Sequence, residues 1–210
     1  MTSDALRLEL LVFVEGETEN QYVKEWHKRH REWVNVEIDP SRISPFQLVQ
    51  KAVEAKNRES HDARRGRGRS HDQFWCVFDR DEHARLPEAF QLADANGIRI
   101  AFSNPCLELW FVLHFRDQAA HVERHPVQAD SAGYLHCRKN LTRPALDVLV
   151  DQYEVAKKRA LLLDAKHAGD GTEPRGNPST DVWKLVDEIR GSRPDHIGVK
   201  ADRATRNAPG

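Results

Sequence analysis

Cysteine is scarce in this sequence: Cys76, Cys106 and Cys137 are its three, odd in number, far apart and without a C-x-x-C pair. That excludes a disulfide scaffold and a cysteine-built zinc site, and it fits a reducing cytoplasm. Long apolar runs are missing as well. No segment approaches the roughly 20 apolar residues of a membrane span, and the first residues, Met1-Thr2-Ser3-Asp4-Ala5, are polar. The sequence therefore reads as a soluble cytoplasmic protein with no membrane partner. An excess of one charge is absent too, with 32 lysines and arginines against 33 aspartates and glutamates. Bulk charge thus points to neither nucleic acid nor membrane, and any basic surface has to be local. The 11 histidines are scattered and form no cluster with cysteine, and no local signature of a nucleophilic Ser or Cys triad occurs.

What is present is a strand–helix alternation. Residues 8–14 read as a buried strand, and Tyr22, Val23 and Trp26 then recur at helical spacing over 18–31. Trp33, Val34, Val36 and Ile38 predict a second strand closed by Asp39-Pro40, and Ser44-Pro45-Phe46-Gln47 is a capping box opening a helix to about residue 56. A strand at 73–78, a helix over 87–95 capped by Gly97 and a strand at 98–102 follow. Asn104-Pro105 then starts a helix over 106–115, with Asn104 as its cap. This order predicts an α/β fold, a parallel sheet of about four strands covered by helices on both faces. Beyond residue 116 the pattern changes. Residues 117–140 carry no clear period, 144–166 form one long amphipathic helix, and a loop at 169–178 leads to a short helix through Ile189. The expected organisation is a core over 1–116, an α-helical extension packed on it over 117–190, and a flexible tail over 191–210.

The chemistry lies where strands end. The first strand stops at Glu15-Gly16 and the third at Asp79-Arg80-Asp81, which places acids at the carboxyl rim of the sheet, where open α/β folds bind ligands. Residues 79 and 81 leave an extended strand on the same side, so both carboxylates can face one region. Clustered acids repel one another, and Mg2+ or Mn2+, which prefers hard oxygen donors, would remove that cost. Each acid alone reads equally as a turn or helix-cap residue; together, on strands expected to be neighbours, they favour the metal. Glu15 would ligate or act as general base. Glu108, in the first turn after the fourth strand, reads either as a ligand at a second metal position or as an acid stabilised by the helix dipole. His114 reads as a buried or half-buried structural histidine. Arg64-Arg65-Gly66-Arg67-Gly68-Arg69 resembles a phosphate-binding arm, but its place before the third strand puts it at the edge opposite the acids. Lys157, Lys158 and Arg159 read as a solvated helix face.

The elements Val14-Glu15-Gly16-Glu17-Thr18-Glu19 and Asp79-Arg80-Asp81 resemble the Toprim signature of topoisomerases, primases and OLD-type nucleases. The blocks 103–115, beginning Ser103-Asn104-Pro105-Cys106-Leu107-Glu108, and Asn177-Pro178-Ser179-Thr180-Asp181-Val182 are similar to the RloB family of bacterial phage-defence loci. The resemblance implies a Toprim-like, Rossmann-like core and a metal-dependent nuclease acting on DNA or RNA, tRNA included. Under it Glu15, Asp79, Asp81 and Glu108 would be the metal-binding and catalytic residues, and an ATPase a partner protein. The alternative is a non-catalytic effector or regulatory subunit working with that ATPase.

Overall fold

Four apolar segments pair side by side to form the centre of the protein. The computed structural model describes residues 7–68, 70–80, 85–172 and 175–191. Strands β1 (Leu8–Val14), β2 (Val34–Pro40), β3 (Gln73–Asp79) and β4 (Arg99–Asn104) run parallel in the spatial order β2-β1-β3-β4. A fifth strand, β5 (Ser179–Thr180), closes the sheet antiparallel to the end of β4, pairing Ser103 with Thr180 and Asn104 with Ser179. The fold is thus a mixed α/β sheet flanked by helices, consistent with a Rossmann-like arrangement; the fifth strand is an addition to the four read from the sequence.

Helices α1 (Glu17–His30), α2 (Pro45–Arg64) and α3 (Leu86–Asn96) are the crossovers, α4 (Leu107–Val112) follows β4, and α5 (Arg124–Leu135), α6 (Arg143–Asp151), α7 (Tyr153–Gly169) and α8 (Val182–Gly191) complete the chain. Period-two alternation along the strands sends their side chains into two apolar layers. One layer joins Leu11, Phe13, Phe74, Cys76, Phe78 and Phe102 to α2 and α3. The other joins Leu10, Val12, Val14, Trp75, Val77 and Ala101 to α1, α4 and the later helices. Val127, Leu149, Ala160 and Ile189 belong to this second layer, so the C-terminal helices share the core of the sheet instead of forming their own. Tyr22 Oη accepts a 2.7 Å hydrogen bond from Trp110 Nε1, tying α1 to α4 inside that layer.

Several local expectations are revised. The stripe over 144–166 is two helices, because Gln152 at φ −94°, ψ 12° interrupts the backbone between α6 and α7. Helix α4 is only six residues long, and the residue before it is Cys106. Asn104 therefore does not cap it. It ends β4, buried, with Nδ2 donating to the carbonyl of Arg175 at 2.9 Å. Lys157 and Arg159 are bound to Asp187 at 2.5 Å and Asp117 at 2.7 Å, leaving only Lys158 as an exposed cation of the expected face. Gly97 does take the left-handed cap position, at φ 61°. His114 is buried, with Nδ1 2.8 Å from the Trp110 carbonyl. The basic segment after α2 leads into the amino end of β3, opposite the acids, where Asp72 bonds to the backbone of Glu9. The expected tail beyond residue 191 lies outside the described residues.

Candidate active site

Strands β1 and β3 are direct neighbours, with Val14 in register with Val77, and the backbone amide of Glu15 donates to the Val77 carbonyl at 3.3 Å. No strand intervenes between Glu15 and Asp79. On the other side Asp79 is in register with Ser103, whose carbonyl accepts from the Arg80 amide at 2.9 Å. The acids that end these strands are thus fixed to one rim by the sheet's own hydrogen bonds, and Glu108 joins them because α4 starts directly after β4. Asp81 lies outside the described residues.

Asp79 is the electrostatic centre of the group. Its side chain keeps 15% of its exposure, and burial is the first cause holding its pKa well above the usual carboxylate range. Glu19 and Glu108 add to that shift, Arg124 opposes it, and Glu15 adds last. Four carboxylates therefore share one neighbourhood. Arg124, at the start of α5, reaches back into it: its Nη2 lies 4.0 Å from Asp79 Oδ2, 3.3 Å from the Arg80 carbonyl and 3.4 Å from the Pro105 carbonyl.

Glu19 and Arg124 were not among the sequence candidates. Glu19 is the third residue of α1, and its buried carboxylate folds back over Gly16, the residue before the helix. A Cβ on Gly16 would stand 2.5 Å from Glu19 Oε2. Gly16 has an extended backbone at φ −132°, so it is the space beside it that calls for glycine. The signal in the sequence was only the run Glu15-Gly16-Glu17-Thr18-Glu19. Glu17 itself is exposed, with its pKa lowered by hydrogen bonds from Asn20 and Gln21. Cys106 also borders the site. Burial first, then the Glu108 and Asp79 charges, push its thiol far up, and it hydrogen-bonds Glu108, so it is a neutral donor and no nucleophile at neutral pH.

The donor set is chemically suited to a hard divalent cation: oxygen ligands in negative excess, opposed near Asp79 by one arginine. As the side chains stand, no three Asp, Glu, His or Cys side chains among the described residues are grouped to hold such an ion.

A family model described as RloB-like protein matches residues 10–189, a span that begins within β1, takes in the other four strands and includes all the acids above. The chain belongs to the RloB-like family. No curated protein and no solved structure matches it. The matched span of this RloB-like protein includes Glu19, Arg124 and β5 as well as the strand-end acids, so the family extends across the sheet and the C-terminal helices alike. Among the described residues no helix is long and apolar enough to cross a membrane.

Proposed function

We propose that this RloB-like chain is a Toprim-type nuclease of the bacterial cytoplasm, hydrolysing phosphodiester bonds of DNA or RNA, including tRNA, with Mg2+ or Mn2+ in antiviral defence. The observation that carries the reading is the meeting of Glu15, Glu19, Asp79 and Glu108 around one half-buried carboxylate at the rim of the sheet. Carboxylates crowded together repel one another, and a divalent cation relieves that repulsion. Asp79, Asp81 and Glu108 would hold the ion. When bound, it would supply charge against the scissile phosphate and a water of lowered pKa. Glu15, half-buried just after the adjacent strand, would take the proton of the attacking water as general base and return a proton to the leaving oxygen as the P–O bond breaks. Glu19 holds Glu15's end of the rim negative, and Arg124 limits the repulsion around Asp79 while the ion is absent.

A second reading is supported by Arg124 itself, whose guanidinium stands beside Asp79 where a metal ligand would need room. In that reading the acids tune an interface, and the chain is a regulatory subunit of an ATPase partner. Incubation of the purified protein with plasmid, single-stranded DNA and total tRNA, with and without Mg2+ or Mn2+, separates the two. The nuclease reading expects cation-dependent cleavage of at least one substrate and a loss of about a hundredfold or more in a folded Asp79→Ala variant. Absence of cleavage on every substrate, alone and with the ATPase of its locus, would leave the regulatory reading.

A further inference from the structure

The sheet is unfinished on one edge. Parallel pairing with β3 uses alternate residues of β4: the Ser103 carbonyl accepts from Arg80 on the β3 side, while the Phe102 carbonyl accepts from Asp181 at 2.7 Å on the outer side. Ile100, one pleat earlier, turns its N–H and C=O to that same outer edge. Strand β5 pairs only with Ser103 and Asn104, so among the described residues no strand pairs with Ile100 there.

This edge is the floor of a groove of about 720 Å³. Helix α3 lies on one face of the sheet and α8 on the other, and they form its walls: Phe90, Gln91 and Asp94 on one side, Trp183, Lys184 and Glu188 on the other. Cations lie over the aromatic rings, Arg175 at 4.4 Å from the Phe90 centroid and Lys184 at 5.5 Å from that of Trp183. Acids balance them, with Arg99 bound to Glu188 at 2.5 Å, and Arg175 and Lys184 both bound to Asp181.

We infer that this groove binds an extended segment of a partner protein, which adds to the sheet as a strand beside β4. Backbone groups of Ile100 that no strand among the described residues pairs are matched by a ligand offering a donor and an acceptor at strand spacing, which a polypeptide backbone supplies. Successive side chains of such a segment would face the α3 wall and the α8 wall in turn, and an alternation of small apolar or aromatic residues fits both. A nucleic acid is disfavoured by the balanced charge, because Asp94, Asp187 and Glu188 line the groove together with Arg99, Arg175 and Lys184.

The test is selection from a random peptide library of about seven residues, one strand length, on the full chain. Selected peptides are then measured by fluorescence anisotropy. The expected result is a set of sequences with alternating apolar residues, bound about tenfold more weakly once a central peptide N–H is methylated, since one backbone hydrogen bond is lost. Phe90→Ala and Trp183→Ala should weaken them, and the Ile100 amide should gain protection from hydrogen exchange on peptide addition, a readout that needs no variant. Four results would overturn the inference: no enriched sequence, indifference to N-methylation with no change at Ile100, displacement of the peptide by oligothymidylate, or binding only after deletion of residues 192–210. The last would make the chain's own segment the occupant.

Discussion

At the scale of single residues, the acids at strand ends were legible and their helpers were not. Glu15 and Asp79 stand out because an apolar run stops abruptly in a carboxylate, and burial of the run fixes where the carboxylate emerges. Glu19 carries no such mark. Its place in the site depends on a methyl group that Gly16 lacks, a fact of space and not of pattern. Gly16→Ala should accordingly alter stability by no more than about 1 kcal/mol, since only the flexible end of Glu19 must move, yet it should displace that carboxylate from the site. Chemical denaturation together with cation-dependent cleavage would show the split; equal loss of both would contradict it. His114 gives a second prediction. Burial lowers its pKa to about 4, so the native chain resists protonation there. The unfolded chain takes up that proton first as pH falls, so the contribution is whole above about 6.5 and is lost between there and about 4, on the order of 3 kcal/mol. Urea titrations at neutral pH and at pH near 5 should show wild type losing stability relative to a His114→Phe variant; parallel losses would refute the assignment.

At the scale of elements, β1 to β4 and the crossover helices follow from periodicity, because each has a face that must be buried. The failures have physical causes. β5 has two residues, too few for any period, and is held by pairing with Ser103 and Asn104. Helix α5 buries only Val127, Ser131 and Leu135, so its apolar signal is thin, and Arg124 at its start reaches the Arg80 carbonyl 44 residues earlier in the chain. The break at Gln152 has no proline or glycine to announce it, and the apolar stripe runs on across it. That break makes α6 a helix with its own start, where Thr142 Oγ1 accepts from the Ala145 amide at 3.4 Å. Thr142→Ala should cost about 1 kcal/mol by thermal or urea unfolding, while Gln152→Ala, whose side chain makes no cap bond, should cost less. A neutral Thr142→Ala would mean that α6 is positioned by packing alone.

At the scale of the whole molecule, the C-terminal helices and the sheet share one apolar layer, which argues that they unfold together. Leu149, fully buried in that layer from α6, is a direct probe. Leu149→Ala should destabilise by about 3 kcal/mol and preserve a single cooperative transition seen alike by far-ultraviolet circular dichroism and tryptophan fluorescence. Two separated transitions would mean that the extension is an independent unit. The same integration places Arg124, from the extension, in the acid cluster of the sheet, so the site belongs to the assembled chain and not to the strands alone.

The central claim is that the rim holds a divalent cation through Asp79. Because the folded-state pKa of Asp79 is raised, its ionised carboxylate is a cost to the cation-free protein at neutral pH, a cost that shrinks as pH falls. Asp79→Asn should therefore be more stable than wild type without metal, and should be indifferent to metal. Calorimetric titration of Mn2+ into both proteins is the decisive measurement: the account predicts heat of binding to the wild-type chain and none to Asp79→Asn. Equal binding by the two, or no binding by either, would contradict it.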